Sequence, residues 1–237
     1  MKKNILIAGS GGAIGGEFTK IYNQDKNVKK IIALSRSGIS LDKKKIYSVK
    51  FNYINEEPDD FLISAIGGDN IDVIIVATGM LYDDKTKPEK SLADLNNDGL
   101  SRLFKINVFG PMLLIKKILR ETKKTHPIKI IFLTARLGSI ADNKIGGWYS
   151  YRSSKAALNM MIKTLSIEMI RSNKKNIVIG VHPGTVKSNL SAPFVKHVAH
   201  TVMSPNESVK LMVRLFNRLL PEDSGKIFDF NGNIIDP

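Results

Sequence analysis

Tyr151 and Lys155 stand four residues apart in Trp148-Tyr149-Ser150-Tyr151-Arg152-Ser153-Ser154-Lys155-Ala156-Ala157-Leu158, the opening of a long helical pattern. At that spacing a phenol and an ammonium project from one helix face. A neighbouring positive charge favours phenolate over phenol, so Lys155 is expected to draw Tyr151 down from the ordinary tyrosine value of about 10 toward working pH. A tyrosine tuned in that way can exchange a proton with an oxygen of a bound substrate. The same spacing also arises in helices that do no chemistry, so its meaning depends on the rest of the chain.

Two further groups of residues are suited to hold an anion. Gly9-Ser10-Gly11-Gly12-Ala13-Ile14-Gly15 follows an apolar, strand-like run and precedes a helical pattern. Glycines there permit a tight turn and close backbone approach, while the helix start offers free N–H groups to a pyrophosphate. The next apolar run ends in Ser35-Arg36-Ser37, about 20 residues further on, where NAD-binding folds place an acid for the ribose hydroxyl. Here that acid is missing. An arginine between two hydroxyls suits a 2′-phosphate through charge-assisted hydrogen bonds, which favours NADP(H) over NAD(H).

These groups need a scaffold that brings them together. Short β-branched runs alternate with longer helical patterns, which implies βαβ units around a buried parallel sheet. Strands are expected at residues 4–8, 30–34, 46–51, 73–77, 129–133, 177–181 and 226–229. The result is an α/β, doubly wound fold in one domain spanning residues 1–237, with helices on both faces of the sheet. Ligands of such sheets bind outside the carboxyl ends of the strands, and each group above lies just past one.

Two long helices are expected at residues 100–120 and 151–171. The first sets Leu103, Asn107, Leu114 and Ile118 near one face and contains Gly110-Pro111, which should kink it or open its hydrogen-bond ladder. Asn107 is either a satisfied polar residue in the core or a group of the site. The second carries Ala156, Met160, Leu165 and Met169, a stripe that suits a core or a subunit interface.

The composition, with 43% hydrophobic and 24% charged residues, is that of a globular protein and not of a disordered one. The apolar run after Lys2-Lys3 is too short for the core of a signal peptide and ends in glycines. No uninterrupted apolar stretch approaches the length of a membrane span, so a cytoplasmic protein without membrane contact is expected. With no cysteine, disulfides, thiolate nucleophiles and cysteine-ligated metals are excluded, and no histidine stands at metal-ligand spacing. The net charge of +14 is scattered in short groups such as Lys29-Lys30, Lys43-Lys44-Lys45 and Lys174-Lys175. Such groups suit solvated surface and an anionic small molecule better than nucleic acid. Asp83-Asp84 and Glu56-Glu57 read as solvated loop charges.

With these motifs in place, the chain resembles the short-chain dehydrogenase/reductases over essentially its whole length. The residues that carry the resemblance are the glycine turn, Val76-Ala77-Thr78-Gly79, Lys105-Ile106-Asn107-Val108-Phe109-Gly110-Pro111, Tyr151 with Lys155, and His182-Pro183-Gly184-Thr185-Val186-Lys187-Ser188. Gly138-Ser139-Ile140 and the ending Ser224-Gly225-Lys226-Ile227-Phe228-Asp229 resemble the carbonyl-reductase-like and C-factor-like members. The resemblance implies a Rossmann-type fold and an NADP-dependent oxidoreductase that interconverts a carbonyl and a secondary or primary alcohol. Tyr151 would be the proton donor, Lys155 would hold the nicotinamide ribose and lower the Tyr151 pKa, and the Asn107 backbone carbonyl would hold a water in a proton relay. Gly9, Ser10, Gly12, Ala13, Ile14, Gly15, Ser35, Arg36, Ser37, Ala77, Thr78 and Gly79 would line the cofactor. Asn52 and Tyr53 would lie near its adenine, and Pro183, Gly184, Val186 and Ser188 near its nicotinamide, beside Tyr151 and Lys155. Members of the family often pair their two long helices, so a homodimer or homotetramer joins the monomer among the expected states.

Three positions depart from the family's pattern. Ala13 takes the place of a glycine in the turn, and Val76-Ala77 takes the place of two asparagines. The serine that should stand beside the tyrosine falls on Ala135 when counted forward from the fifth strand, and near Ser139 when counted back from Tyr151. Ser139 is the candidate donor and Thr134 the second. An apolar wall is expected from Leu190, Phe194, Val195 and Met203. If no hydroxyl replaces the missing serine, the alternative is a catalytically weak nucleotide-binding protein with a regulatory or signalling role.

Overall fold

The computed structural model describes residues 2–38, 44–53, 60–194 and 201–237. Glu56-Glu57, Lys43 and Val195 lie outside the described residues. Seven strands run β1 (Lys3–Ala8), β2 (Val28–Ser35), β3 (Ile46–Lys50), β4 (Val73–Val76), β5 (Lys129–Leu133), β6 (Ile177–His182) and β7 (Ile227–Asp229). Every pairing is parallel, in the order β3-β2-β1-β4-β5-β6-β7, so the direction of winding reverses between β1 and β4. The helices are α1 (Ala13–Gln24), α2 (Asp60–Ile66), α3 (Asn97–Phe104), α4 (Gly110–Glu121), α5 (Tyr149–Ser172) and α6 (Pro205–Arg218).

The alternation of side chains along each strand explains the two layers of helices. On β1, Leu6 and Ala8 face the layer of α2, α4 and α5, where Leu62, Leu114, Ile118, Leu158, Ile162 and Met169 are buried. Ile5 and Ile7 face the other layer, against Phe18 and Tyr22 of α1 and Val209, Met212, Leu215 and Phe216 of α6. Each buried Val, Leu, Ile, Phe or Met side chain among these contributes about 1.5–3 kcal/mol, and that stabilisation holds the strand ends in register beneath the site.

The long helix expected at residues 100–120 is α3 and α4 joined by a π-helical stretch, Lys105–Phe109. Pro111 explains the distortion: in an α-helix its N–H would serve the Asn107 carbonyl, and proline has none. The methionines of α5 do not form one stripe. Met169 is buried in the core, whereas Met160 is 66% exposed. Among the described residues no helix is long and apolar enough to cross a membrane.

Candidate active site

The glycine turn leaves no room for a side chain at Gly9 or Gly15. Gly9 has φ +90°, and a Cβ there would lie 2.8 Å from the Ala77 carbonyl oxygen; one on Gly15 would lie 2.1 Å from the Gly9 oxygen. Helix α1 therefore starts flush against the turn. Its N-cap, Gly12, offers no side-chain cap, and its first turn carries no acid. The first N–H groups of Ala13, Ile14 and Gly15 are thus left to an external anion. Ser10 Oγ donates to the Leu34 carbonyl at 3.0 Å and ties the turn to β2. Across from Gly11, Ser35 Oγ accepts from Gly38 N at 3.1 Å and lies 3.4 Å from Ser37 Oγ. Between them Arg36 is exposed, and among the described residues it has no ion pair or hydrogen bond.

Tyr53 and Thr78 close the side of this groove. Thr78 Oγ1 donates to the Tyr53 hydroxyl at 3.0 Å. The Tyr53 ring covers Gly110, where a Cβ would come within 2.4 Å of it. Asn52, next to Tyr53, lies two residues past the end of β3, and Gly79 follows Thr78 after β4. Beyond β6, Ser208 Oγ donates to the Pro183 carbonyl at 2.7 Å, Gly184 has φ +78°, and Val186 bridges to Met203. Ser188 and Ser191 exchange hydrogen bonds that turn the chain toward Phe194.

Tyr151 and Lys155 are 8% and 3% exposed. Lys155 Nζ donates to the Leu133 carbonyl at 3.1 Å and lies 5.9 Å from the centroid of the Tyr151 ring. Among the described residues nothing hydrogen-bonds to the Tyr151 hydroxyl, and only burial moves its ionisation. The expected depression of Tyr151 by Lys155 is not what this geometry gives. Burial disfavours charge on both groups, pushing Tyr151 up to about 12 and Lys155 down to about 8. Tyr151 therefore keeps its proton at neutral pH.

Between about pH 8 and 10.5 the unfolded chain binds more protons at Lys155 than the folded one, so this group's contribution to stability rises across that window. The penalty stands in full below pH 8. The expected gain is on the order of 3 kcal/mol, and Lys155→Met should abolish it. Urea unfolding of both proteins at about pH 7.5 and about pH 10 measures the difference.

The Asn107 side chain is a brace. Its Oδ1 accepts from Met80 N at 2.8 Å, and its Nδ2 donates to the Met80 carbonyl at 2.9 Å and to Ser154 Oγ at 3.0 Å. Asn107 Oδ1 and Lys155 Nζ converge on Gly79, at 3.8 and 3.5 Å from where its Cβ would be. The candidate hydroxyls are engaged elsewhere. Ser139 Oγ donates to the Asp236 carbonyl at 2.5 Å and accepts from Asp142 N at 3.1 Å. Thr134 Oγ1 pairs with Asn159 Oδ1 at 2.6 Å. Ser139 Oγ is thus held by Asp236 and Asp142, and among the described residues no hydrogen bond joins it to Tyr151. Ala135, by contrast, shares a buried cluster with Tyr151, Met80, Leu81 and Leu103.

Aromatic rings complete the wall. Trp148 lies edge-on to Tyr151 at 6.2 Å and 4.9 Å from Phe194, which in turn meets Tyr82 at 5.8 Å. Tyr82 donates its hydroxyl proton to the Asn189 carbonyl, which fastens the loop beyond β6 over the site. Asp83, read from the sequence as a solvated charge, instead accepts from Arg102 at 2.6 Å and holds the segment after β4 to α3.

With that geometry established, a sequence model described as short chain dehydrogenase matches residues 3–199. The chain belongs to the short chain dehydrogenase family. Among relatives of this short chain dehydrogenase, C-signal of Myxococcus xanthus is 33% identical over 142 residues, 60% of this chain and 81% of that protein. Carbonyl reductase Sniffer of D. melanogaster superposes with a TM-score of 0.85 at 20% identity, covering 100% of both chains. The NADPH-bound carbonyl reductase from chicken fatty liver superposes at 0.83 and 19%, covering 100% of this chain and 99% of the other. At those identities the likeness is one of fold. Within it, the short chain dehydrogenase has two site residues that its sequence did not single out, Glu89 and Tyr82. Tyr82 lies just past the segment Val76 to Gly79 and Glu89 in the polar stretch beyond it, and each is bonded to a partner far along the chain.

Proposed function

We propose that this short chain dehydrogenase is an NADP(H)-dependent oxidoreductase of the carbonyl-reductase-like kind, reducing an apolar carbonyl compound to its alcohol. The observation that carries the reading is Tyr151: a buried phenol, protonated at neutral pH and hydrogen-bonded to no group among the described residues, set in an apolar and aromatic cluster. A carbonyl oxygen is the acceptor such a hydroxyl lacks. The glycine turn and the uncapped start of α1 fit a pyrophosphate, and Arg36 with Ser35 and Ser37 fits a 2′-phosphate. When bound, the dinucleotide supplies the hydride. Tyr151 gives the proton to the substrate oxygen. Lys155, held by the Leu133 carbonyl, stands ready to return a proton to that side of the site. The Asn107 backbone carbonyl, left without an α-helical donor by Pro111, can accept from a water that connects Lys155 to solvent.

NADPH oxidation by the purified protein across aldehydes, ketones and quinones tests the reading, and absence of turnover on the whole panel would sink it. Cofactor choice is tested separately. Charge-assisted bonds are worth about 1.5–3 kcal/mol, so Arg36→Ala should weaken NADPH binding about 10- to 100-fold. NADH affinity should move less than about twofold, as read by titration. Preference of the unaltered protein for NADH would overturn the assignment.

The second reading, a weakly catalytic dinucleotide-binding protein with a regulatory or signalling role, is favoured by Ala135 and by the engagement of both nearby hydroxyls. Tight NADPH binding with residual turnover independent of Tyr151 would favour it over the first.

A further inference from the structure

Helix α5 starts from three successive residues with left-handed backbone: Gly146 (φ +72°), Gly147 (φ +65°) and Trp148 (φ +52°). Glycine adopts that conformation freely, whereas a tryptophan holds it only where its surroundings enforce it. Trp148 is alone in this among the described non-glycine residues. It is also the N-cap of α5, where its side chain has no acceptor to offer the first N–H groups.

Glu89 meets both needs. Its backbone carbonyl accepts from Trp148 N at 2.6 Å. Its side chain, 3% exposed, accepts from Ser150 N at 3.3 Å with one oxygen and from the Ser150 hydroxyl with the other. One residue thus grips the chain on both sides of Tyr149, immediately before Tyr151. It also fixes where the Trp148 ring lies, edge-on to Tyr151 and against Phe194.

We propose that Glu89 is a positioning residue of this active site: it sets the first turn of α5, and with it the Tyr151 phenol, and holds Trp148 as a wall that selects flat, aromatic carbonyl substrates. The substrate part rests on the oxidoreductase reading above; the positioning part does not. A mere cap would alter stability alone. A positioning residue also alters kcat, discrimination between substrates and the environment of Trp148.

The test compares Glu89→Ala, Glu89→Gln and Ser150→Ala with the unaltered protein. Trp148 is the chain's single tryptophan, so intrinsic fluorescence reports the wall directly, without turnover. Glu89→Ala should lower kcat about 10- to 100-fold, as a small misplacement of a reacting group does. It should raise KM for a planar aromatic ketone several-fold while leaving that for a short aliphatic aldehyde nearly unchanged. It should also shift Trp148 emission to the red and increase quenching by acrylamide. Glu89→Gln keeps an acceptor for Ser150 N and can donate to the serine hydroxyl, so it should recover most of both effects. A lower melting temperature with unchanged kinetics and emission would reduce Glu89 to a cap and overturn the proposal. Should Glu89→Ala not fold, Ser150→Ala must show the same emission shift in smaller measure, and no shift there is equally fatal. If the unaltered protein reduces no carbonyl, the oxidoreductase reading fails, while the fluorescence comparison still decides the role of Glu89.

Discussion

Tyr151→Phe is expected to lower kcat for NADPH-dependent carbonyl reduction by about 10²- to 10⁴-fold, the range of a positioned general acid. The substitution removes one oxygen and keeps the ring, and therefore the edge-on contact with Trp148 and the distance to Lys155. Because the hydroxyl bonds to no described protein group, its removal orphans no partner in the fold. Stability should change by less than about 1 kcal/mol, so lost activity cannot be ascribed to lost structure. NADPH affinity should be nearly preserved. Following NADPH oxidation under saturating substrate checks the effect on kcat, and a loss smaller than about tenfold would assign the proton donor to another group.

Ala135→Ser is expected to raise kcat, by up to about 10²-fold, the low end of what one donor to a developing oxyanion is worth. Ala135 ends the segment after β5 with an extended backbone (φ −145°, ψ 146°) and lies in the buried cluster of Tyr151. It is the N-cap of the short turn Arg136–Gly138, a position where serine is readily accepted. The gain therefore depends on whether the new hydroxyl serves the substrate or caps the turn. Ser139→Ala is the matched control: its hydroxyl fastens Asp236 and Asp142, so its loss should cost stability, on the order of 1–3 kcal/mol, with little effect on kcat. A collapse of kcat in Ser139→Ala with no gain in Ala135→Ser would restore Ser139 as the donor.

The sheet was legible because buried parallel strands are nearly continuous apolar runs. Each of the seven expected strands lies within two residues of the observed one at either end; Val28 and Lys29 extend β2 beyond the apolar run because Val28 pairs with Lys3. The convergence of the glycine turn, Arg36, Gly79, Tyr151 and Pro183 followed from the same pattern, since a doubly wound sheet gathers its strand ends. What the sequence could not show depends on contacts between remote residues. Ser139 is engaged by Asp236 and Thr134 by Asn159, and no spacing near Tyr151 announces either. Glu89 meets Ser150 across 61 positions, in a polar stretch that reads as any loop. The direction in which Tyr151 and Lys155 shift is likewise set by burial, and burial is a property of the fold, not of the pair.

The π-helical stretch before Pro111 has a further consequence. A stranded carbonyl in a buried helix is ordinarily a packing fault that relaxation can repair, by borrowing a donor from the next turn. Here the missing donor is absent from the covalent structure, and no rearrangement of neighbours can restore it at that position. The break is thus inherited with the chain itself: however the packing around Asn107 adjusts, a regular α-helical ladder cannot run through Pro111.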